Sequence, residues 1–333
     1  MNVRQVIPKD AIPSVENPTF VDDHSPPDDD VVGIQLGGEA RAYPIRYLNY
    51  HEIANDSLGG VPIAVTWCPL CGSAVVYDRR PPAESLPEGA DDPGTLEFGV
   101  SGKLADDDLV MYDRETGSEW KQSLGEAIAG QLEGASLRVL PATTTTWDQF
   151  RKSHDDAVIM AEPGGKSEAA SESDSPAEIE YQDDPYREYV EGDGFGLGAH
   201  RGEGAGREWE REDIAAKEPV LGLVLGGEAL GVPRTRIEDA GGVVTAIVGG
   251  ESVVVFATAD GLHAYRDPGY DWTSTRGGVR ADGVMWDPTT GAPLDNPATH
   301  VAANRESLER LPAQRLFAFA WYDDHGDTFF ESG

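Results

Sequence analysis

Alternating apolar and polar residues mark the first clear element at Val31 to Leu36, which reads as a half-buried strand. Gly37-Gly38 supplies a hairpin turn, and Ala40 to Tyr43 resumes as the partner strand. Pro44 suits the first turn of a helix, in which Tyr47, Tyr50, His51 and Ala54 recur at helical spacing. Asn55 to Gly60 is expected to end that helix with residues that tolerate left-handed turns. Val61 to Trp67 reads as a buried strand, Cys68-Pro69-Leu70-Cys71 as a turn, and Ser73 to Tyr77 as the return strand. Segments 96–100, 109–112 and 117–120 continue as a meander, and Thr143 to Thr146 reads as polar strand or loop. The fold class implied is α+β and β-rich: two tandem pseudo-repeats of antiparallel strands, a meander or partly open barrel, with a few short helices.

The repeat is read from collinear echoes. Val31 to Ala40 recurs as Val220 to Ala229, and Gly59-Gly60 as Gly249-Gly250. Met111-Tyr112-Asp113 then matches Met285-Trp286-Asp287, Leu140-Pro141-Ala142 matches Leu311-Pro312-Ala313, and His154 matches His325. Between the halves, Glu162 to Glu180 is acidic and small with nothing to bury, and Gly192 to Gly206 is Gly-rich and charged. The organisation expected is a first repeat at 1–161, a linker and insert at 162–217, and a second, degenerate repeat at 218–333. Where the first has Trp67-Cys68-Pro69-Leu70-Cys71-Gly72, the second has Ala257-Thr258-Ala259-Asp260-Gly261-Leu262, so the cysteine chemistry is confined to the first half.

Composition narrows the partners. Acids outnumber bases 60 to 26 over 333 residues, for a net charge of −34, which disfavours nucleic acid and anionic lipid. Molar salt, with a Debye length of about 3 Å, screens such a surface, so the charge reads as adaptation to a salty cytosol. Met1 to Pro8 carries no apolar stretch of a secretory signal, and no apolar run is long enough for a membrane span; the expected compartment is cytoplasmic.

In a reducing compartment, Cys68 and Cys71 at two-residue spacing either form a redox dithiol or chelate a metal ion. No helix N-terminus follows them, since Gly72 and a β-branched run come next, so activation of a thiolate falls to nearby cations: Arg41, Arg46 and His51, with Arg79 and Arg114. His51-Glu52 with Asn55-Asp56 combines an imidazole and acids, suiting a general base with its orienter or half of a metal site. The bland alternatives are a His51 packed on an apolar face and thiols that only pin a core turn. A structural zinc knuckle lacks its second cysteine pair, whereas a Cys-Cys-His site for copper or iron stays open. The turn Asp113 to Gly117 is kept in the second half, but Arg114 becomes Pro288, which singles out Arg114.

Gly38 to Asn49, His51-Glu52, Asn55-Asp56, Gly59 to Pro62 and Cys68 to Ser73 closely resemble the family known as domain of unknown function 3179. The similarity runs on through Phe98 to Gly102, Met111 to Arg114, Thr116 to Ser118, Trp120, Gln122 and Asp184 to Tyr186, and the charge suggests a halophilic, archaeal-type member. The resemblance brings no established reaction. It implies selenocysteine at the cysteine motif in some members, which favours redox work there, and export or lipid anchoring in many. The function expected is a thiol-dependent oxidoreductase without cofactor, acting on a small molecule or thiol redox partner. One of Cys68 and Cys71 attacks and the other resolves, Arg41, Arg46 or Arg114 stabilises the thiolate, and His51 shuttles protons under Glu52 or Asp56. The alternatives are a metal-binding or metal-delivery protein holding zinc or a transition metal through Cys68, Cys71 and His51, and a non-catalytic binding module.

Overall fold

The Gly37-Gly38 hairpin forms: β1 (Asp30–Leu36) pairs antiparallel with β2 (Glu39–Pro44), and α1 (Ile45–His51) follows directly. The computed structural model describes residues 1–24, 26–171, 175–202, 207–275, 278–294 and 305–331. The helix ends earlier than its apolar spacing predicts. Glu52 leaves it at φ +58, and β3 (Ile53–Leu58) runs antiparallel to β4 (Val61–Cys68), so Ala54 lies in a strand. The reason is tertiary. Asn55 exchanges hydrogen bonds of 2.8 and 3.0 Å with the Phe98 backbone, and Asp56 accepts from Tyr43 at 2.6 Å and Arg41 at 2.5 Å. Polar side chains that read as a helix terminator serve instead as partners for neighbouring strands.

β4 turns through the cysteines into β5 (Ser73–Asp78). A meander follows in β6 (Phe98–Ala105), β7 (Asp108–Asp113), β8 (Glu119–Lys121) and β9 (Glu126–Ala129). The threonine run is a strand, β10 (Ala142–Thr146), paired with β1, and Thr146 caps α2 (Trp147–Ser153).

Residues 162–217 depart from the linker read in the sequence. Helices α3 (Arg187–Glu191) and α4 (Gly196–Arg201) form there, and Tyr181, Tyr186, Tyr189, Phe195 and Ile214 are buried. The Tyr189 hydroxyl donates to the Leu70 carbonyl at 2.7 Å, fastening the segment to the cysteine turn. Aromatic residues interspersed with the acids supply the burial that the acidic run lacks. Positions 172–174 and 203–206 of the expected insert lie outside the described residues.

The remaining chain gives β11 (Pro219–Leu225), β12 (Glu228–Pro233), α5 (Arg234–Asp239), β13 (Val243–Val248), β14 (Glu251–Ala257) and β15 (Leu262–Arg266). It then returns through β16 (Gln314–Phe317) into α6 (Ala318–His325). β16 pairs antiparallel with β11 on one side and β5 on the other, building an antiparallel run in the order β12-β11-β16-β5-β4-β3, which Val15–Glu16 extends in parallel beyond β3. The fold is therefore β-rich, mainly antiparallel, with short helices. One apolar cluster joins Cys68, Cys71 and Trp120 to Tyr186, Phe195, Phe317 and Trp321. No described helix is long and apolar enough to cross a membrane.

Two adjacent glycines isolate a packing constraint. A Cβ on Gly59 (φ +55) would sit 2.6 Å from the Leu36 carbonyl oxygen, whereas one on Gly60 (φ +79) would meet nothing. Gly60→Ala is expected to cost the left-handed backbone strain alone, about 1–2 kcal/mol. Gly59→Ala should lose about 1–3 kcal/mol more, because backbone cannot yield as a side chain does. Urea unfolding of both variants checks this, and equal losses would contradict it.

Candidate metal centre

Cys68 ends β4, and Cys71 closes the turn before β5. The next residue, Gly72, has φ +56, and the Phe317 ring stands 2.9 Å from where its Cβ would be. The turn is pinned from the same side by the Phe317 N–H, which donates to the Cys71 carbonyl at 2.7 Å. Opposite lies the tight turn between β6 and β7, where Asp106 and Asp107 both have positive φ. Its Asp107 carbonyl accepts from the Cys71 thiol at 3.4 Å and lies 4.0 Å from the Cys68 sulfur.

That turn delivers Asp108 to the cysteines. The two sulfurs and an Asp108 carboxylate oxygen all lie within 4.8 Å of one another, each residue buried. Asp108 Oδ2 accepts from the Ser123 N–H at 2.9 Å, while Oδ1 is buried with no hydrogen-bond partner among the described residues. Burial pushes this carboxyl up to about 6, against the attraction of Lys121 and with the repulsion of Asp324. The Lys121 ammonium, itself buried, forms an ion pair with Asp324 on α6 and lies 3.8 Å from Asp106.

Burial also raises both thiols above their usual range; Asp108 and Glu52 then add to the effect on Cys68, and Cys68 and Asp108 to that on Cys71. The charges acting on the thiols are thus mainly acidic. Arg41 pairs with Asp56 at 2.5 Å, Arg46 with Asp29 at 2.6 Å and Arg114 with Glu97 at 2.9 Å, each occupied by its own carboxylate. His51 is also committed elsewhere. Its Nδ1 is 2.8 Å from the Pro13 carbonyl and its Nε2 2.7 Å from the Tyr181 hydroxyl, and burial lowers its pKa. The third group beside the cysteines is Asp108 in place of His51.

Glu52 does come to the site, though not as an orienter of His51. The tight exit from α1 turns it inward, its backbone carbonyl accepts from the Trp67 N–H at 2.8 Å, and its Oε2 is buried without a partner among the described residues. Burial, with Glu168 and Asp108 nearby, pushes its carboxyl up to about 8. Glu52, Cys68 and Leu70 share the wall of a cavity of about 790 Å³ with Tyr186, which stacks on His200 at 4.9 Å.

A family model described as "Protein of unknown function (DUF3179)" matches residues 9–328. The chain belongs to the DUF3179 family. No curated protein and no solved structure matches it. In this DUF3179 chain, sequence reasoning missed Asp108, Lys121 and Asp324. A signal for the second was present: Lys121 is one of six lysines and follows Trp120 in a short strand. Asp108 and Asp324 carried none, since neither is unusual among 60 acids.

The sign of the Glu52 effect is fixed by its two states. With an ordinary value of 4.5 and a folded value of about 8, Glu52 keeps its proton longer in the fold than in the unfolded chain. Its contribution to stability is full below about pH 4.5 and is lost as pH rises through about 8. Glu52→Gln, which has no proton to lose, should therefore flatten the decline in unfolding free energy between those limits. Urea midpoints across that range test it, and parallel curves for both proteins would refute it.

Proposed function

We propose that Cys68, Cys71 and Asp108 bind a transition metal ion, and that the adjoining cavity admits a small molecule to it. The observation that carries this reading is the convergence of two buried sulfurs and a carboxylate within 4.8 Å, with one carboxylate oxygen left unpartnered. Burial penalises a bare thiolate, and a cation on the sulfurs removes that penalty. Two thiolates with a carboxylate suit a borderline-soft ion such as zinc or iron(II). Three protein donors leave a coordination position, and Cys68 lies on the cavity wall, as a catalytic centre requires and a closed structural one does not.

A duplicated scaffold belongs to the same reading. It is supported by the recurrence of β1-β2-α1-β3-β4-β5 as β11-β12-α5-β13-β14-β15, and by matching Gly contacts, Gly37 with Gly59 and Gly226 with Gly249. Only the first set carries the cysteines.

Protein purified without chelator in molar salt should hold about one equivalent of metal per chain. Cys68→Ser, Cys71→Ser and Asp108→Asn should each lose most of it, whereas His51→Ala should keep it. Elemental analysis, with the thiolate charge-transfer band after cobalt(II) loading, decides. Failure to retain zinc, iron or cobalt, or full loading of Asp108→Asn, would reject the site.

A dithiol reading is favoured by one feature: both thiols turn to the same Asp107 carbonyl. Exchange with an external disulfide would pass two electrons and two protons outward, leaving a Cys68–Cys71 bond and two thiols on the partner. A redox titration of metal-free protein separates the readings. The metal reading expects no reversible transition between about −300 and −120 mV, and a reversible one there establishes the dithiol.

A further inference from the structure

A second cavity, of about 360 Å³, lies between β1, β10 and α2 on one side and residues 289–292 and 307–310 on the other. Its chemistry is the reverse of the first. The larger cavity is lined by seven carboxylates, whereas no described residue lining this one is acidic, in a chain where acids outnumber bases 60 to 26. Hydroxyl-bearing residues line it from both sides: Thr289, Thr290 and Ser307, Thr143, whose Oγ1 is 3.1 Å from His263 Nδ1, and Thr145, whose hydroxyl is buried with no partner among the described residues.

Its cation is Arg310. Most arginines in the chain are matched with a carboxylate, but Arg310 makes no ion pair among the described residues. Its contacts are to neutral oxygen and ring: Nη2 donates to the Tyr265 hydroxyl at 2.6 Å and to the Thr289 carbonyl, and the guanidinium lies 4.8 Å over the Tyr265 ring. These contacts fix the group in place through neutral partners, while Asp287, which also acts on Tyr265, forms no ion pair with it among the described residues. His154, its ring tilted by 32° against the Phe150 ring at 4.4 Å, lines the same cavity. Burial lowers its pKa, a hydrogen bond with the Phe150 carbonyl opposes this, and the Arg310 charge lowers it further.

A guanidinium held by neutral partners and faced by hydroxyl donors matches an oxyanion, which accepts from both. A volume of about 360 Å³ is in the range of small-ligand sites. We propose that this cavity binds a small molecule bearing a carboxylate or phosphate group, with the oxyanion on Arg310 and the threonine hydroxyls. Because its walls come from both halves, the ligand would bridge them. The proposal is independent of the metal centre.

Isothermal titration with succinate and with inorganic phosphate, at constant ionic strength set by chloride, tests it on the full chain. At least one probe should bind saturably, and the preferred one names the oxyanion. Arg310→Gln should weaken that binding about tenfold or more, and Thr290→Val by a smaller factor. If circular dichroism shows that Arg310→Gln does not fold, Arg310→Lys together with Thr290→Val carries the test, with reduced affinity expected in both. Heats that do not saturate for either probe, or affinity unchanged in the folded Arg310 variant, would overturn the proposal.

Discussion

One ammonium group compensates the buried acids behind the cysteine turn. Lys121 reaches inward from β8 to Asp324 on α6 and to Asp106 in the β6–β7 turn, and its charge also acts on Asp108. Breaking such a buried arrangement by removing one partner costs about 3–5 kcal/mol, because an uncompensated charge stays behind. The turn geometry that presents Asp108 to the sulfurs, and the docking of α6 against it, are therefore linked through the Lys121 side chain. In a chain with so few lysines, this one sits where solvent and salt give least help.

The same region shows how the two halves divide the work. The first half supplies Cys68, Cys71, Asp108 and Glu52; the second supplies Phe317 and Asp324, which fix the turn and balance Lys121. The middle segment closes the side through Tyr186 and Tyr189. A centre with no surplus of cations around its thiols is poorly arranged for a free thiolate and well arranged for a bound cation, because Asp108 and Glu52 oppose the first and favour the second.

Much of the local framework was legible in the sequence. Gly37-Gly38 could only be a tight turn between alternating strands, and Pro44 opened a helix as its fixed φ allows. The cysteine turn was equally readable, since a β-branched strand enters it and another leaves. The helix end was not, because Asn55 and Asp56 look like terminators until Phe98, Arg41 and Tyr43 are brought beside them. The site was half legible for the same reason. Cys68 and Cys71 announce themselves by spacing, and Glu52 was singled out for another task. Asp108 and Asp324 owe their roles to long-range packing that no local pattern encodes. The arginines stood out by their scarcity, and each of Arg41, Arg46 and Arg114 has a nearby acid to satisfy, a pairing that no local pattern announces.

The insertion of β16 between β11 and β5 has a consequence for biogenesis. Ala74 finds its partner at Arg315, most of the chain away, so the central sheet stays open at the start of β5 until late in synthesis. Until then β5 is paired along that edge only at Tyr77 and Asp78, with Val139 and Arg138, and the cysteine turn lacks the Phe317 ring and the N–H that later hold it. The nascent protein thus passes through a stage in which its two thiols are unprotected. Residues 314–317, late in the chain, supply the ring and the N–H that close that turn.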